Sequence, residues 1–104
     1  PAFRDTYGWI AYRQGNFEEA VTYLEPAAAG LPDDLLTQIH YGLALAAAGQ
    51  KEKAVTQLQT ALDKAGDSTL PQLPVARDVL AALTAGSPVT PPFVVSGQGG
   101  AASP

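Results

Sequence analysis

The stretch Tyr7-Gly8-Trp9-Ile10-Ala11-Tyr12-Arg13-Gln14-Gly15-Asn16-Phe17-Glu18-Glu19-Ala20-Val21 aligns without a gap on Tyr41-Gly42-Leu43-Ala44-Leu45-Ala46-Ala47-Ala48-Gly49-Gln50-Lys51-Glu52-Lys53-Ala54-Val55, at an offset of 34 residues. Leu24 and Leu58 keep the register, and so do Ala27 and Ala61. A fixed period of this kind marks a chain of stacked supersecondary units, each unable to bury its apolar face alone. Both copies are therefore read as the same pair of helices.

The small residues carry the pairing. Gly8 and Gly42 stand inside predicted helices, where Gly costs about 1 kcal/mol relative to Ala, and close approach of the paired helix offsets that cost. Ala20 and Ala54 are expected at the same contact from the second helix. Gly15-Asn16 and Gly49-Gln50 fall between apolar runs, where Gly takes the left-handed conformation that ends one helix and turns the chain.

Apolar period and caps place helices at about 2–14, 17–29, 34–48 and 51–65. Pro32-Asp33-Asp34 reads as a turn and N-cap, since an Asp carboxylate accepts the free N–H groups of a helix start. The acidic pairs Asp33-Asp34 and Glu18-Glu19 complement the helix dipole there. Pro26 removes the hydrogen bond to the Thr22 carbonyl, so a kink is expected over residues 22–25.

Beyond Gly66 the period lapses, yet Val75, Val79, Leu80 and Leu83 recur at helical spacing and predict a fifth helix from about Pro74 to Thr84. Arg77 and Asp78 give it the polar side that a terminal repeat element requires. From Ala85 to Pro104 the chain turns to Pro, Gly, Ser and Ala, the composition of a flexible tail. Within it, Pro91-Pro92-Phe93-Val94-Val95 is a stiff apolar segment suited to docking extended in a groove.

The fold class is thus all-α. Antiparallel helix-hairpin repeats span residues 1–84, with repeats over about 1–32 and 33–66, a capping helix within about 71–84, and a tail over 85–104.

This pattern resembles the tetratricopeptide repeat family, W-x2-L-G-x2-Y, then A-x3-F, then P. In the first copy Gly8, Ala20 and Pro32 match, Leu24 stands where the family often has an aromatic residue, and Arg4, Tyr7 and Ala11 depart from the pattern. In the second copy Gly42 and Ala54 match, Gln38, Tyr41, Leu45 and Leu58 are substitutions, and Gly66 replaces the closing proline. The likeness covers about residues 2–66. The run Asp5-Thr6-Tyr7-Gly8-Trp9 with Tyr12-Arg13-Gln14-Gly15 looks like the last repeats of bacterial members, many of them lipoproteins of envelope and exopolysaccharide systems. That resemblance implies the bacterial cell envelope, with the cytoplasm as the alternative.

The resemblance implies a protein-binding scaffold or adaptor whose first helices line a concave groove, opposite Gly8 and Gly42. Helical spacing puts Asp5, Trp9, Tyr12 and Arg13 on one side of helix one, and Leu36, Ile39, His40 and Leu43 around the corresponding face of helix three. Trp and Tyr with a nearby Arg are frequent interface anchors, which makes another protein or peptide the expected partner. The competing reading packs Trp9 and Tyr12 against a further repeat. Two other functions stand beside the adaptor: a non-catalytic module of a larger enzyme or envelope assembly complex, and self-association through the aromatic face. The groove lacks the Lys and Asn residues with which family members clamp a terminal carboxylate, so a co-chaperone role is disfavoured.

Composition excludes other classes. Six Lys plus Arg stand against ten Asp plus Glu, a net charge of −4, and nothing in this pattern neutralises a row of phosphates, so nucleic acid is not expected. The chain has no Cys, which removes disulfides, thiolate metal sites and Cys nucleophiles. His40, the single histidine, has no nucleophile or carboxylate at a recognisable spacing, and neither catalysis, metal nor cofactor is expected. Gly97-Gln98-Gly99-Gly100 lacks the Lys-Ser or Lys-Thr of a phosphate loop. The longest apolar run, Tyr41 to Ala48, falls short of the roughly 20 residues that span a bilayer. A chain without Met that begins at Pro1 is expected to be a fragment or a processed form.

Overall fold

The computed structural model describes residues 2–87 and Pro91, with side chains from Thr6 onward. Five helices follow one another: α1 (Ala2–Arg13), α2 (Phe17–Gly30), α3 (Leu35–Ala47), α4 (Lys51–Ala65) and α5 (Gln72–Ala85). No strand occurs among the described residues. α1 pairs with α2 and α3 with α4, α3 packs on α2, and α5 lies against α4 and α3.

The two hairpin corners are built alike. Asn16 donates its N–H to the Ala11 carbonyl at 2.9 Å and Gly15 to that of Tyr12 at 3.0 Å; Gln50 and Gly49 do the same to Leu45 and Ala46 at 2.9 and 3.2 Å. These are the two bonds of a Schellman ending, which satisfies carbonyls the helix leaves open. It needs a left-handed residue, and Gly15 and Gly49 supply it with φ of 88° and 84°.

Within each hairpin the helices meet at glycine. A Cβ placed on Gly8 would lie 2.6 Å from Leu24 Cγ, and one on Gly42 would lie 2.6 Å from Leu58 Cδ2. Sequence reading assigned the opposing surface to Ala20 and Ala54. Both alanines are buried, but the side chains seated on the glycines are the leucines four residues later. Ala27, Ala44, Ala61 and Ala76 are also buried, so the core is thin and its helices close.

α3 starts at Asp34, whose carboxylate accepts the Thr37 N–H at 3.5 Å. Gln38 then ties three helices together. Its Nε2 donates to the carbonyls of Ala28 and Leu31 at 2.9 and 3.0 Å, while Gln57 Nε2 of α4 donates to the Gln38 Oε1 and carbonyl at 2.7 and 3.0 Å. The last carbonyls of α2, orphaned at a helix end, thereby gain side-chain donors.

Two elements differ from expectation. α2 runs unbroken through Pro26 to Gly30, and Thr22 Oγ1 donates to the Glu18 carbonyl at 3.1 Å. α5 begins at Gln72, before Pro74. Pro74 is tolerated because the first-turn N–H groups of a helix have no intrahelical partner to lose. Most of the tail, including Pro92-Phe93-Val94-Val95, lies outside the described residues, and so does the expectation that it docks in a groove.

Candidate functional site

The α1–α3 face singled out by sequence is largely closed by its own aromatic side chains. Trp9 stacks on His40 with ring centroids 3.8 Å apart and on Tyr12 at 4.4 Å, both within 10° of parallel. Tyr12 meets Phe17 of α2 edge-on at 5.6 Å. Rings at these separations attract beyond their area burial, so Trp9 bridges the two repeats through α1 and α3.

The consequence for the expected groove residues is uneven. Tyr12, Ile39, His40 and Leu43 are buried, Trp9 and Leu36 are half-buried, and Arg13 alone is exposed. The Asp5 side chain lies outside the described ones. The expectation of an open groove along all eight positions is therefore corrected: helical spacing does bring Trp9, Tyr12 and His40 together, but they spend their ring faces on one another. As the structure stands, only Arg13 and the uncovered parts of Trp9 and Leu36 offer contact there.

The largest apolar exposure lies elsewhere on the first repeat. Tyr7 is 60% exposed, Ile10 48% and Tyr23 37%. Tyr7 and Ile10 are one turn apart on α1, and the Tyr7 ring lies 6.1 Å from that of Tyr23 on α2. The three form one apolar surface across the hairpin. A sequence signal for it existed: at the 34-residue offset Ile10 takes the place of Ala44 and Tyr23 that of Gln57, bulky apolar groups in place of a small and a polar one.

Tyr41, the counterpart of Tyr7, has a different setting. It is half-buried, and burial, then the charge of Glu25, then a hydrogen bond to Glu25 raise its phenol above the ordinary value of 10.0. Each cause favours the neutral phenol. Glu25 belongs to α2, so Tyr41 looks onto the helix that covers α3.

Two open clefts complete the surface. One, of about 350 Å³, is lined by Tyr41, Leu45, Glu52, Lys53, Thr56 and Gln57; the other, of about 370 Å³, by Pro32, Asp33, Leu35, Gln38, Ala61 and Lys64. Neither joins a nucleophile to a base. Among the described residues no group of three or more His, Asp or Glu is placed to hold a metal ion, and no helix is long and apolar enough to cross a membrane.

Comparison with known proteins gives one match. A family model described as tetratricopeptide repeat covers residues 11–83, most of the chain. No curated protein and no solved structure matches it.

Proposed function

We propose, from the premise that this chain belongs to the tetratricopeptide repeat family, that it is a non-catalytic scaffold that holds another protein against the exposed face of its first repeat. Repeats of this family mediate protein–protein interaction. The observation that carries the finer reading is the contiguous Tyr7, Ile10 and Tyr23 surface. Full burial of one such side chain contributes about 1.5–3 kcal/mol, and large apolar patches on small domains mark sites of association. The polar surroundings, with Glu18, Glu19 and Arg13 exposed nearby in sequence, fit the polar rim of an interface.

A second reading keeps the contact on the α1–α3 face, and the exposed Arg13 beside the half-buried Trp9 in the sequence favours it. There the partner takes up Arg13 together with the free parts of Trp9 and Leu36, and binding competes with the Trp9–His40 stack.

Affinity capture separates the two. The wild-type chain is compared with Ile10→Asp plus Tyr23→Asp, and with Trp9→Ala plus Arg13→Ala, once circular dichroism shows all three folded. Loss of the partner with the first variant alone supports the first-repeat face. Loss with the second alone transfers the contact to the α1–α3 face. A partner kept by both variants contradicts both surfaces.

A further inference from the structure

The face built on Tyr7, Ile10 and Tyr23 has an internal counterpart, and that counterpart is occupied. At the 34-residue offset Tyr7, Ile10 and Ala11 become Tyr41, Ala44 and Leu45 on α3. Ala44 is 0% exposed, Leu45 is buried and Tyr41 is half-buried. α2 packs on that side of α3: Gln38 donates to the Ala28 and Leu31 carbonyls at its end, and Tyr41 faces its Glu25 carboxylate. On α1 the same positions have no helix over them, and Tyr7 and Ile10 stand out into solvent.

We propose that this face receives the second helix of another hairpin of the same repeat type, seated on α1 as α2 is seated on α3, with a carboxylate at the Glu25 position facing the Tyr7 hydroxyl. This names the partner for the protein-binding role above and rests on that role. Ile10 is bulkier than Ala44, so the incoming helix presents small residues opposite it, as the Ala27-Ala28-Ala29 run of α2 allows. Tyr23, at the position of Gln57, borders the end where Gln57 and Gln38 meet the last carbonyls of α2.

A second copy of this chain is a poor occupant. Its two second-type helices are α2, covered by α3, and α4, covered by α5. Head-to-tail stacking of the described residues would instead set α5, which follows α4 as α3 follows α2, against α1. The occupant is thus a hairpin whose second helix is still uncovered.

The experiment extends the full chain with a duplicate of residues 1–34 placed directly before Pro1, which continues the 34-residue register. The duplicate carries Tyr7→Phe, so that only the native Tyr7 is read. Nitration of each tyrosine is followed by mass spectrometry on the extended and the unextended chain. The native Tyr7 is expected to fall in the extended chain to the reactivity of Tyr41, with a higher melting temperature. Glu25→Ala in the duplicate is expected to return part of the lost reactivity.

Tyr7 as reactive in the extended chain as in the unextended one overturns the proposal, whether or not the duplicate has become helical by circular dichroism. A concentration-dependent dimer of the unextended chain that protects Tyr7 overturns it in favour of a second copy. Capture of a partner by the unextended chain reports on the protein-binding role independently, because the extended chain carries its own occupant.

Discussion

Gly8 and Leu24 are in such close contact that a single Cβ on the glycine would stand 2.6 Å from Leu24 Cγ, and Gly42 and Leu58 repeat the relationship one period later. Leu24 and Leu58 are fully buried, so neither can swing aside into solvent. The glycines are where the two helices of each hairpin touch, which explains why a residue unfavourable to helices occupies the middle of α1 and α3.

Gly8→Val and Gly42→Ala are therefore expected to destabilise the chain. Overpacking costs about 1–3 kcal/mol, against a helix-propensity gain of at most about 1 kcal/mol for Gly42→Ala. For a domain this size each kcal/mol lowers the melting temperature by about 4–8 °C. The paired change Gly42→Ala with Leu58→Ala should cost less than the sum of the single changes, because the truncated leucine leaves room for the new methyl. A thermal melt unchanged by Gly8→Val would contradict the contact.

Much of this was legible before any coordinates. The 34-residue register, the hairpin corners at Gly15 and Gly49, and the Asp34 cap follow from residue types with narrow backbone or hydrogen-bonding roles. The state of the α1–α3 face was not legible. Helical spacing assigns Trp9, Tyr12 and His40 to one side, but whether that side is open depends on ring packing between helices 31 residues apart in sequence, His40 from Trp9. The Tyr7, Ile10 and Tyr23 surface was overlooked because each copy was read for what matched, and the informative positions were those where Ile10 and Tyr23 broke the match with Ala44 and Gln57.

Gln38 should behave as the hub of the α2–α3–α4 junction. Gln38→Ala removes the donor of two carbonyls and the acceptor of Gln57, and buried groups left without partners cost about 1–3 kcal/mol. Gln57→Ala, which leaves the Gln38 bonds to α2 intact, should cost less. A double-mutant cycle by urea denaturation is expected to give a coupling of about 0.5–3 kcal/mol between the two; additive effects would show that they act separately.

The Trp9 stack makes an optical prediction. His40→Ala leaves one ring face of the single Trp uncovered, so its emission should shift to longer wavelength in the folded chain. Aromatic pairs contribute about 0.5–1.5 kcal/mol each beyond area burial, and the loss of stability should be of that order. Unchanged emission would mean that Trp9 does not rest on His40 in solution.

Tyr41 gives an alkaline prediction with a definite sign. Its phenol is raised above the unfolded value of 10.0 by burial and by Glu25, so the fold favours the neutral form. The stabilisation is complete below pH 10.0 and is lost as pH rises through the higher folded value. Tyr41→Phe should flatten that part of the pH–stability curve. An identical alkaline decline in both chains would assign it to other groups.

The most direct measurement of where this scaffold holds a protein is site-specific photocrosslinking from Ile10, compared with Leu36 on the α1–α3 face and Gln59 on the exposed side of α4. A crosslinked partner from position 10, weakened by Tyr23→Asp, is the expected result. Efficient crosslinking from Leu36 or Gln59 with none from Ile10 would contradict the placement of the partner on the first-repeat face.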